Sequence, residues 1–125
     1  MNTKKALVLF AHGARDPRWA QPFLKMQAIA QGLLPDARVE LAFLELMEPR
    51  LPAVVSELVE SGCTEISVVP VFLGQGGHVL RDLPPMIESL RAQFPSLIVR
   101  VSDAVGESPE VLEAIAAYCV SQTVA

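Results

Sequence analysis

Histidine and cysteine are both scarce in this chain, with two residues of each among 125. The cysteines, Cys63 and Cys119, are far apart in sequence and form no Cys-x-x-Cys pair, which gives no support to a disulfide framework. We interpret both as small buried apolar residues. A metal site that uses imidazole ligands would therefore have to use His12 and His78.

Several other features are missing, and each absence narrows the possible functions. The chain has no run rich in lysine and arginine and a net charge of −4, so nucleic-acid binding has little support. No apolar stretch approaches the roughly 18 residues of a membrane span, and the first one is too short for a signal peptide. Without a GK[ST] or GxGxxG motif, a nucleotide site is poorly supported. We expect a cytoplasmic protein that needs no membrane anchor and no nucleotide.

The composition indicates a folded globular chain. Hydrophobic residues make up 51% and charged residues 19%, which favours a substantial core over disorder. The length, with no linker or internal repeat, predicts a single domain over residues 1–125.

Short apolar runs alternate four times with helical patterns along the chain. The runs cover residues 6–11, 39–44, 66–73 and 97–101, and a helical pattern follows each one. Such alternation predicts an α/β fold with a parallel sheet between two helix layers. We expect a flavodoxin-like three-layer sandwich with strand order 2-1-3-4. Pro70 lies inside the third run, so that strand is expected to bend or end early.

The helical patterns also predict which side chains face inward. Apolar residues at steps of three and four predict buried faces on three of the helices. These faces comprise Trp19, Phe23, Met26, Ala30 and Leu33 in the first helix, Leu51, Val54, Val55, Leu58 and Val59 in the second, and Val111, Leu112, Ile115 and Cys119 in the last. We expect the first helix to begin at Asp16-Pro17, the second near Pro49 or Pro52, the third at residues 82–85 and the last at Ser108-Pro109.

Polar residues follow the first three predicted strands. Ligands of open parallel sheets bind beyond the carboxyl ends of the strands, where the strand order reverses. His12 and His78 follow strands one and three, which would lie about 4.8 Å apart in this order. Two imidazoles there would suit a divalent transition metal. Glu45 follows strand two at the same edge, although taken alone it is more typical of a solvated carboxylate.

A glycine-rich segment precedes His78. Gly74, Gly76 and Gly77 permit close approach of the backbone to a ligand, and the segment leads to a helix start that favours anions. A flexible turn is the alternative interpretation. Arg15 and Arg81 belong to the two histidine loops and are the arginines we favour for binding carboxylates.

Three elements of the sequence resemble motifs of the small class II chelatases. Residues 12–17 (HGARDP) resemble an HGSRDP element, and residues 43–46 followed by Glu48-Pro49 resemble an FLEL…EP element. Residues 69–73 and then 77–84 resemble VVPLFL…GHVxxDIP, which is the most specific of the three. The family comprises the sirohydrochlorin cobaltochelatases and ferrochelatases of the short CbiX and SirB type, and the resemblance covers nearly the whole chain.

This resemblance implies a function. The substrate would be sirohydrochlorin, a tetrapyrrole with eight carboxylates, which would receive Co²⁺, Fe²⁺ or Ni²⁺ and release two protons without a nucleotide. His12 and His78 would bind the metal, His12 would accept a proton, and Glu45 would be a third ligand or a proton relay. The segment Leu73, Gly74, Gln75, Gly76, Gly77 would lie against the substrate.

The resemblance also implies assembly, because chains of this length resemble half of the longer two-lobed enzymes. A symmetric homodimer is expected, with Trp19, Phe72 and Leu80 as candidate interface residues. Ala11 and Ala14 replace a common glycine and a common serine of the motif, which leaves room for altered metal preference or reduced activity.

Two other interpretations stay open at this point. A metal or tetrapyrrole carrier could have kept the chelatase fold without turnover. A histidine phosphatase is disfavoured because Ala11 stands where its RHG motif requires arginine.

Overall fold

The computed structural model describes residues 4–74 and 77–123, and it describes side chains for all of these except residues 77–80. Four strands and four α-helices alternate along the chain. They are β1 (Lys5–Ala11), α1 (Gln21–Leu33), β2 (Arg38–Phe43), α2 (Leu51–Glu60), β3 (Glu65–Pro70), α3 (Gly77–Gln93), β4 (Ile98–Val101) and α4 (Pro109–Ser121). Short 3-10 helices precede α1 (Pro17–Ala20) and α4 (Val105–Glu107).

The sheet is parallel and has the order β2-β1-β3-β4. This confirms the predicted α/β class and strand order. Phe10 is opposite Pro70 across β1 and β3, and β3 ends at this proline, as its missing N–H predicts. The order therefore reverses between β1 and β3, whose carboxyl ends lead to the two histidine-bearing segments.

The larger core lies between the sheet and the helices α2 and α3. Its fully buried side chains include Phe10, Leu51, Leu58, Ile66 and Leu90. The inward face predicted for α2 is confirmed, with Val59 partly buried at its margin. This face of the sheet is sealed by the protein's own helices.

The opposite face of the sheet is only partly covered. Its core comprises Leu9, Ala11, Val39, Leu41 and Phe43, to which α1 adds partly buried Phe23 and Ala30. The inward faces predicted for α1 and α4 are largely wrong. Helix α1 packs on β2 and β1, and the side chains on this face of β3 are only partly buried. The residues predicted as buried that are instead exposed are Trp19, Met26, Leu33, Leu112, Ile115 and Cys119.

The start of α3 differs from the expectation. The helix begins at Gly77 rather than near Asp82, and Pro84 and Pro85 lie inside it. Each proline removes one N–H donor from the helix. Leu83 and Ile87, on either side of the prolines, are buried in the larger core. Burial of these two side chains therefore maintains a helix that local propensity would interrupt.

The structure separates the two cysteines. Cys63 is buried, as predicted, whereas Cys119 lies exposed on α4, and the two thiols are not joined by a disulfide. Burial raises the pKa of the Cys63 thiol. Within the described residues, none of the helices combines the length and the apolar character that crossing a membrane requires.

Candidate functional site

A cleft of about 630 Å³ opens at the carboxyl edge of the sheet, beside the end of β3. Its volume is in the range of small-molecule sites. Among the described residues, its walls are apolar apart from the His12 imidazole and a short stretch of backbone. The residues lining it are His12, Trp19, Phe23, Met26, Val71, Phe72, Leu73, Gly74, Val105, Val111 and Ile115.

His12 is half-buried in this cleft, directly after β1. Its ring lies 4.5 Å from the ring of Phe72, centroid to centroid, at an interplanar angle of 49°. Phe72 is in turn buried against Phe10, at 6.0 Å and nearly perpendicular. The imidazole is therefore supported by an aromatic side chain that belongs to the core. Phe72 is 5% exposed in the single chain, and its place at a subunit interface stays a prediction.

Glu45 is brought beside His12, as the sequence predicts for the ends of neighbouring strands. Its backbone amide donates a hydrogen bond to the His12 carbonyl oxygen (3.0 Å), and the Leu44 amide donates to Ala11 (2.8 Å). The parallel pairing of β1 and β2 thus continues into both loops. The loop that carries the His12 imidazole and the loop that carries the Glu45 carboxylate are therefore held in a fixed register.

Two residues in these loops have positive φ angles. Gly13 has a φ of 97°, and a Cβ atom placed on it would lie 1.9 Å from the Glu45 carbonyl oxygen. Leu46, with a φ of 67°, turns the loop back after Glu45. This conformation disfavours a leucine by about 1–2 kcal/mol, and such strain is concentrated at functional sites.

The predicted substrate segment is described in part. Leu73 is 65% exposed, and with Gly74 it lines the cleft. Gln75 and Gly76 lie outside the described residues. Gly77 begins α3, which places His78 at the second position of that helix. Since β1 and β3 are neighbours, the segments that carry the two histidines leave the sheet side by side.

A shared metal site stays a prediction. Among the side chains that the structure describes, no three histidine, cysteine or acidic residues are grouped closely enough to hold a metal ion. The side chain of His78 is outside that set, so this finding leaves a two-histidine site untested.

The arginines near the site differ in how closely they pair with neighbouring carboxylates. Arg18 forms an ion pair with Asp16 (2.6 Å), and its guanidinium lowers the pKa of that carboxyl group. Arg81 is exposed, with its Nε atom 3.5 Å from a carboxylate oxygen of Asp82. Arg15 is exposed beside His12. Arg18 is held most tightly, because its carboxylate lies at 2.6 Å whereas that of Arg81 lies at 3.5 Å, so Arg15 and Arg81 stay the better candidates for an anionic ligand.

The sequence did not predict the apolar wall of the cleft. Trp19 and Phe23 contact each other at 5.5 Å, and both line the cleft with Met26. Their helical periodicity was interpreted as packing against the protein's own core. A helix face that lines a ligand cleft has the same apolar spacing as a helix face packed on the core. The structure distinguishes these two cases because it shows that the sheet beside α1 is only partly covered.

Comparison with known proteins identifies a family and several relatives. The family model described as CbiX matches residues 6–120. A sirohydrochlorin cobaltochelatase of Methanopyrus kandleri is 40% identical over 82 residues, which are 66% of this chain and 57% of that protein. A solved cobalamin (vitamin B12) biosynthesis CbiX protein from Marinobacter aquaeolei VT8 has a TM-score of 0.84 and 30% identity, covering 94% of this chain and 96% of that one.

A second solved structure that is similar to this chain is longer. It is the sirohydrochlorin chelatase SirB from Bacillus subtilis subspecies spizizenii in complex with cobalt, with a TM-score of 0.76 and 28% identity. The match covers 95% of this chain but 51% of SirB. The chain likewise spans somewhat over half the length of the M. kandleri relative.

Proposed function

The chain belongs to the CbiX family, and from that premise we propose that it inserts a divalent metal ion into sirohydrochlorin or a closely related tetrapyrrole. The observation that carries this proposal is the half-buried His12 in an otherwise apolar cleft of about 630 Å³. Apolar walls suit a planar macrocycle, and the His12 imidazole among them can meet its metal-binding centre. Relatives named as sirohydrochlorin chelatases, one in complex with cobalt, support Co²⁺ as the first metal to test.

His12 and His78 are the proposed metal ligands. Two neutral imidazoles suit Co²⁺, Fe²⁺ and Ni²⁺ and leave coordination positions open for the pyrrole nitrogens. Metallation releases two protons from the macrocycle. An imidazole nitrogen can act as a general base, so His12 is proposed to accept one of them. Glu45, whose loop is bonded to the His12 backbone, is proposed to carry protons outward.

The carboxylates of the substrate need cations that the cleft walls do not supply. The net charge of −4 makes long-range attraction of an anionic tetrapyrrole unfavourable, so binding depends on local groups. We assign this role to Arg15, to Arg81 and to the segment 73–77. The macrocycle would then contact the apolar walls while its carboxylates remain at the rim.

A metallation assay tests the proposal. The protein is mixed with sirohydrochlorin and Co²⁺, Fe²⁺ or Ni²⁺, and the absorbance change is compared with the spontaneous rate. We expect His12→Ala and His78→Ala to lose at least 100-fold in rate, as is typical of removing a general base or metal ligand, and Glu45→Gln to lose less. Glu88→Gln, on the exposed surface of α3, is the acidic control and should retain full rate.

The same assay separates an enzyme from a carrier. A protein that binds both the metal and the tetrapyrrole but leaves the spontaneous rate unchanged would be a carrier that kept the chelatase fold. Full activity of His12→Ala would disprove the proposed proton transfer.

A second copy of the chain is the proposed partner. Residues 1–125 would act as one half of the catalytic unit, because the chain corresponds to about half of the SirB structure. The apolar residues Leu112, Tyr118 and Val120 are exposed on α4, and Ile29 and Leu33 are exposed on α1. Exposed apolar groups of this extent are typical of an interface, and a two-fold dimer would cover them with identical surface.

The oligomeric state can be measured by sedimentation equilibrium. We expect a dimer for the wild type and a monomer for Tyr118→Glu, which places a charge within the exposed apolar face of α4. Ala92→Glu adds the same charge on the exposed surface of α3 and should remain dimeric. A monomeric wild type at micromolar concentration would contradict the proposed assembly.

The cytoplasm is the proposed location of the protein. The exposed free thiol of Cys119 agrees with this reducing compartment.

A further inference from the structure

Gly106 belongs to none of the motifs noted in the sequence, yet it lies against the segment that forms the cleft. A Cβ atom placed on Gly106 would be 1.7 Å from the Leu73 carbonyl oxygen and 2.4 Å from its carbonyl carbon. The obstacle is backbone, so no side-chain rotation can relieve it. The second 3-10 helix (Val105–Glu107) can approach Leu73 this closely only with glycine at this position.

Gly106 also binds the preceding residue of the same segment. Its amide donates a hydrogen bond to the Phe72 carbonyl oxygen (2.9 Å). Phe72 is the residue whose ring contacts the imidazole of His12 at 4.5 Å. One glycine therefore holds the backbone of both residue 72, which supports His12, and residue 73, which lines the cleft.

We propose that Gly106 is a positioning residue for His12, acting through the Phe72 backbone and ring. It does not itself touch the substrate. Its effect on metallation rests on the proposed function, whereas its effect on the His12 ring does not. Replacement by alanine has to displace the 3-10 helix or the segment 72–73 by more than about 1 Å to restore ordinary contact distances.

A displacement of this size matters for catalysis. Misplacing a reacting group by about 1 Å can lower a rate by roughly 100-fold. Gly106 acts on His12 indirectly, through the Phe72 ring, so the displacement of His12 should be smaller than that of the backbone. We therefore expect Gly106→Ala to lower kcat/KM for metallation by at least tenfold. The fall should be mainly in kcat, because the apolar cleft that binds the macrocycle persists.

Nuclear magnetic resonance of the histidine rings gives a readout that does not depend on activity. The chain has two histidines, so the His78→Ala variant identifies the signals of His12. Since a nearby aromatic ring shifts the resonances of protons above it, Gly106→Ala should move the His12 signals. Gly32→Ala is the matched control, because a Cβ atom there meets nothing within 4 Å, and it should leave both the signals and kcat/KM within twofold of wild type.

The outcomes distinguish this proposal from the proposed function. Coincident His12 signals and equal rates for Gly106→Ala and Gly32→Ala would overturn the positioning role. Shifted His12 signals in a protein whose wild type does not metallate would support the positioning role while the proposed function fails. If Gly106→Ala does not fold, Ala104→Gly removes a buried methyl group at the N-cap of the same 3-10 helix. It should shift the His12 signals by a smaller amount, and unchanged signals in that variant would refute the role.

Discussion

The contact between the loops after β1 and β2 gives a quantitative prediction for Gly13→Ala. A non-glycine residue in the left-handed region is disfavoured by about 1–2 kcal/mol. The new Cβ atom would also lie 1.9 Å from the Glu45 carbonyl oxygen, which must retreat by about 1.5 Å to reach normal contact. That movement breaks the hydrogen bond from the Glu45 amide to His12, which contributes about 1 kcal/mol.

Together these effects predict a loss of about 2–3 kcal/mol in the free energy of unfolding. Urea denaturation followed by circular dichroism measures it. With a slope of about 1–3 kcal/mol per molar urea, the midpoint should fall by about 0.7–3 M. Metallation should fall as well, since Glu45 moves away from His12. All variants are compared at one protein concentration, because assembly would raise apparent stability.

Gly32→Ala provides the matched control for this measurement. Gly32 lies near the end of α1, where a methyl group has open space, and alanine there should stabilise the helix by about 0.5–1 kcal/mol. If Gly13→Ala and Gly32→Ala unfold at the same urea concentration, the close approach of Glu45 to Gly13 does not exist in solution.

Four further predictions concern other parts of the molecule. Trp19, the only tryptophan, lines the cleft, so its fluorescence should be quenched when sirohydrochlorin binds; unchanged emission at saturating tetrapyrrole would place the substrate elsewhere. Iodoacetamide should modify the exposed Cys119 rapidly and the buried Cys63 slowly, as followed by mass spectrometry. Because burial raises the pKa of Cys63, this thiol ionises at lower pH in the unfolded chain than in the folded protein. The stability contributed by Cys63 should therefore be lost as pH rises above about 8.5. Cys63→Ala should remove this pH dependence of stability. Arg38 forms hydrogen bonds with Glu40, Glu57 and Ser61, so Arg38→Ala should lower the free energy of unfolding by about 1 kcal/mol in low salt. Arg100→Ala removes one exposed ion pair and should lower it by less than about 0.5 kcal/mol.

The sheet was predictable because its strands carry strong signals. A continuous apolar run such as residues 6–11 has few alternatives to a strand buried on both faces. Because strands that alternate with helices are parallel, few strand orders are possible for a sheet of four strands. The placement of Glu45 beside the His12 loop followed from that order, and the structure agrees.

The remaining differences have two physical causes. The start of α3 was missed because Pro84 and Pro85 lower local helix propensity, whereas burial of Leu83 and Ile87 outweighs it. Gly106 was missed because its importance depends on a backbone contact with residue 73, which no local pattern in the sequence encodes.

The exposure of α1 and α4 was missed for a different reason. Apolar periodicity shows that a helix face avoids water, but it does not show what covers that face. Met26 and Ile115 follow the same spacing as buried residues and yet line an open cleft.

The unequal packing of the two sheet faces has a consequence for how the molecule opens. In α4 every residue except Val111 is exposed, whereas α2 buries four side chains in the larger core. Segments with little buried apolar surface open locally at low free energy, so backbone amides of α4 should exchange with deuterium long before those of β1 or α2. If a second copy covers α4, this early exchange will slow as the protein concentration rises, and the exchange pattern itself will report assembly. The weakest part of the isolated fold would then be the part whose stability depends on its partner.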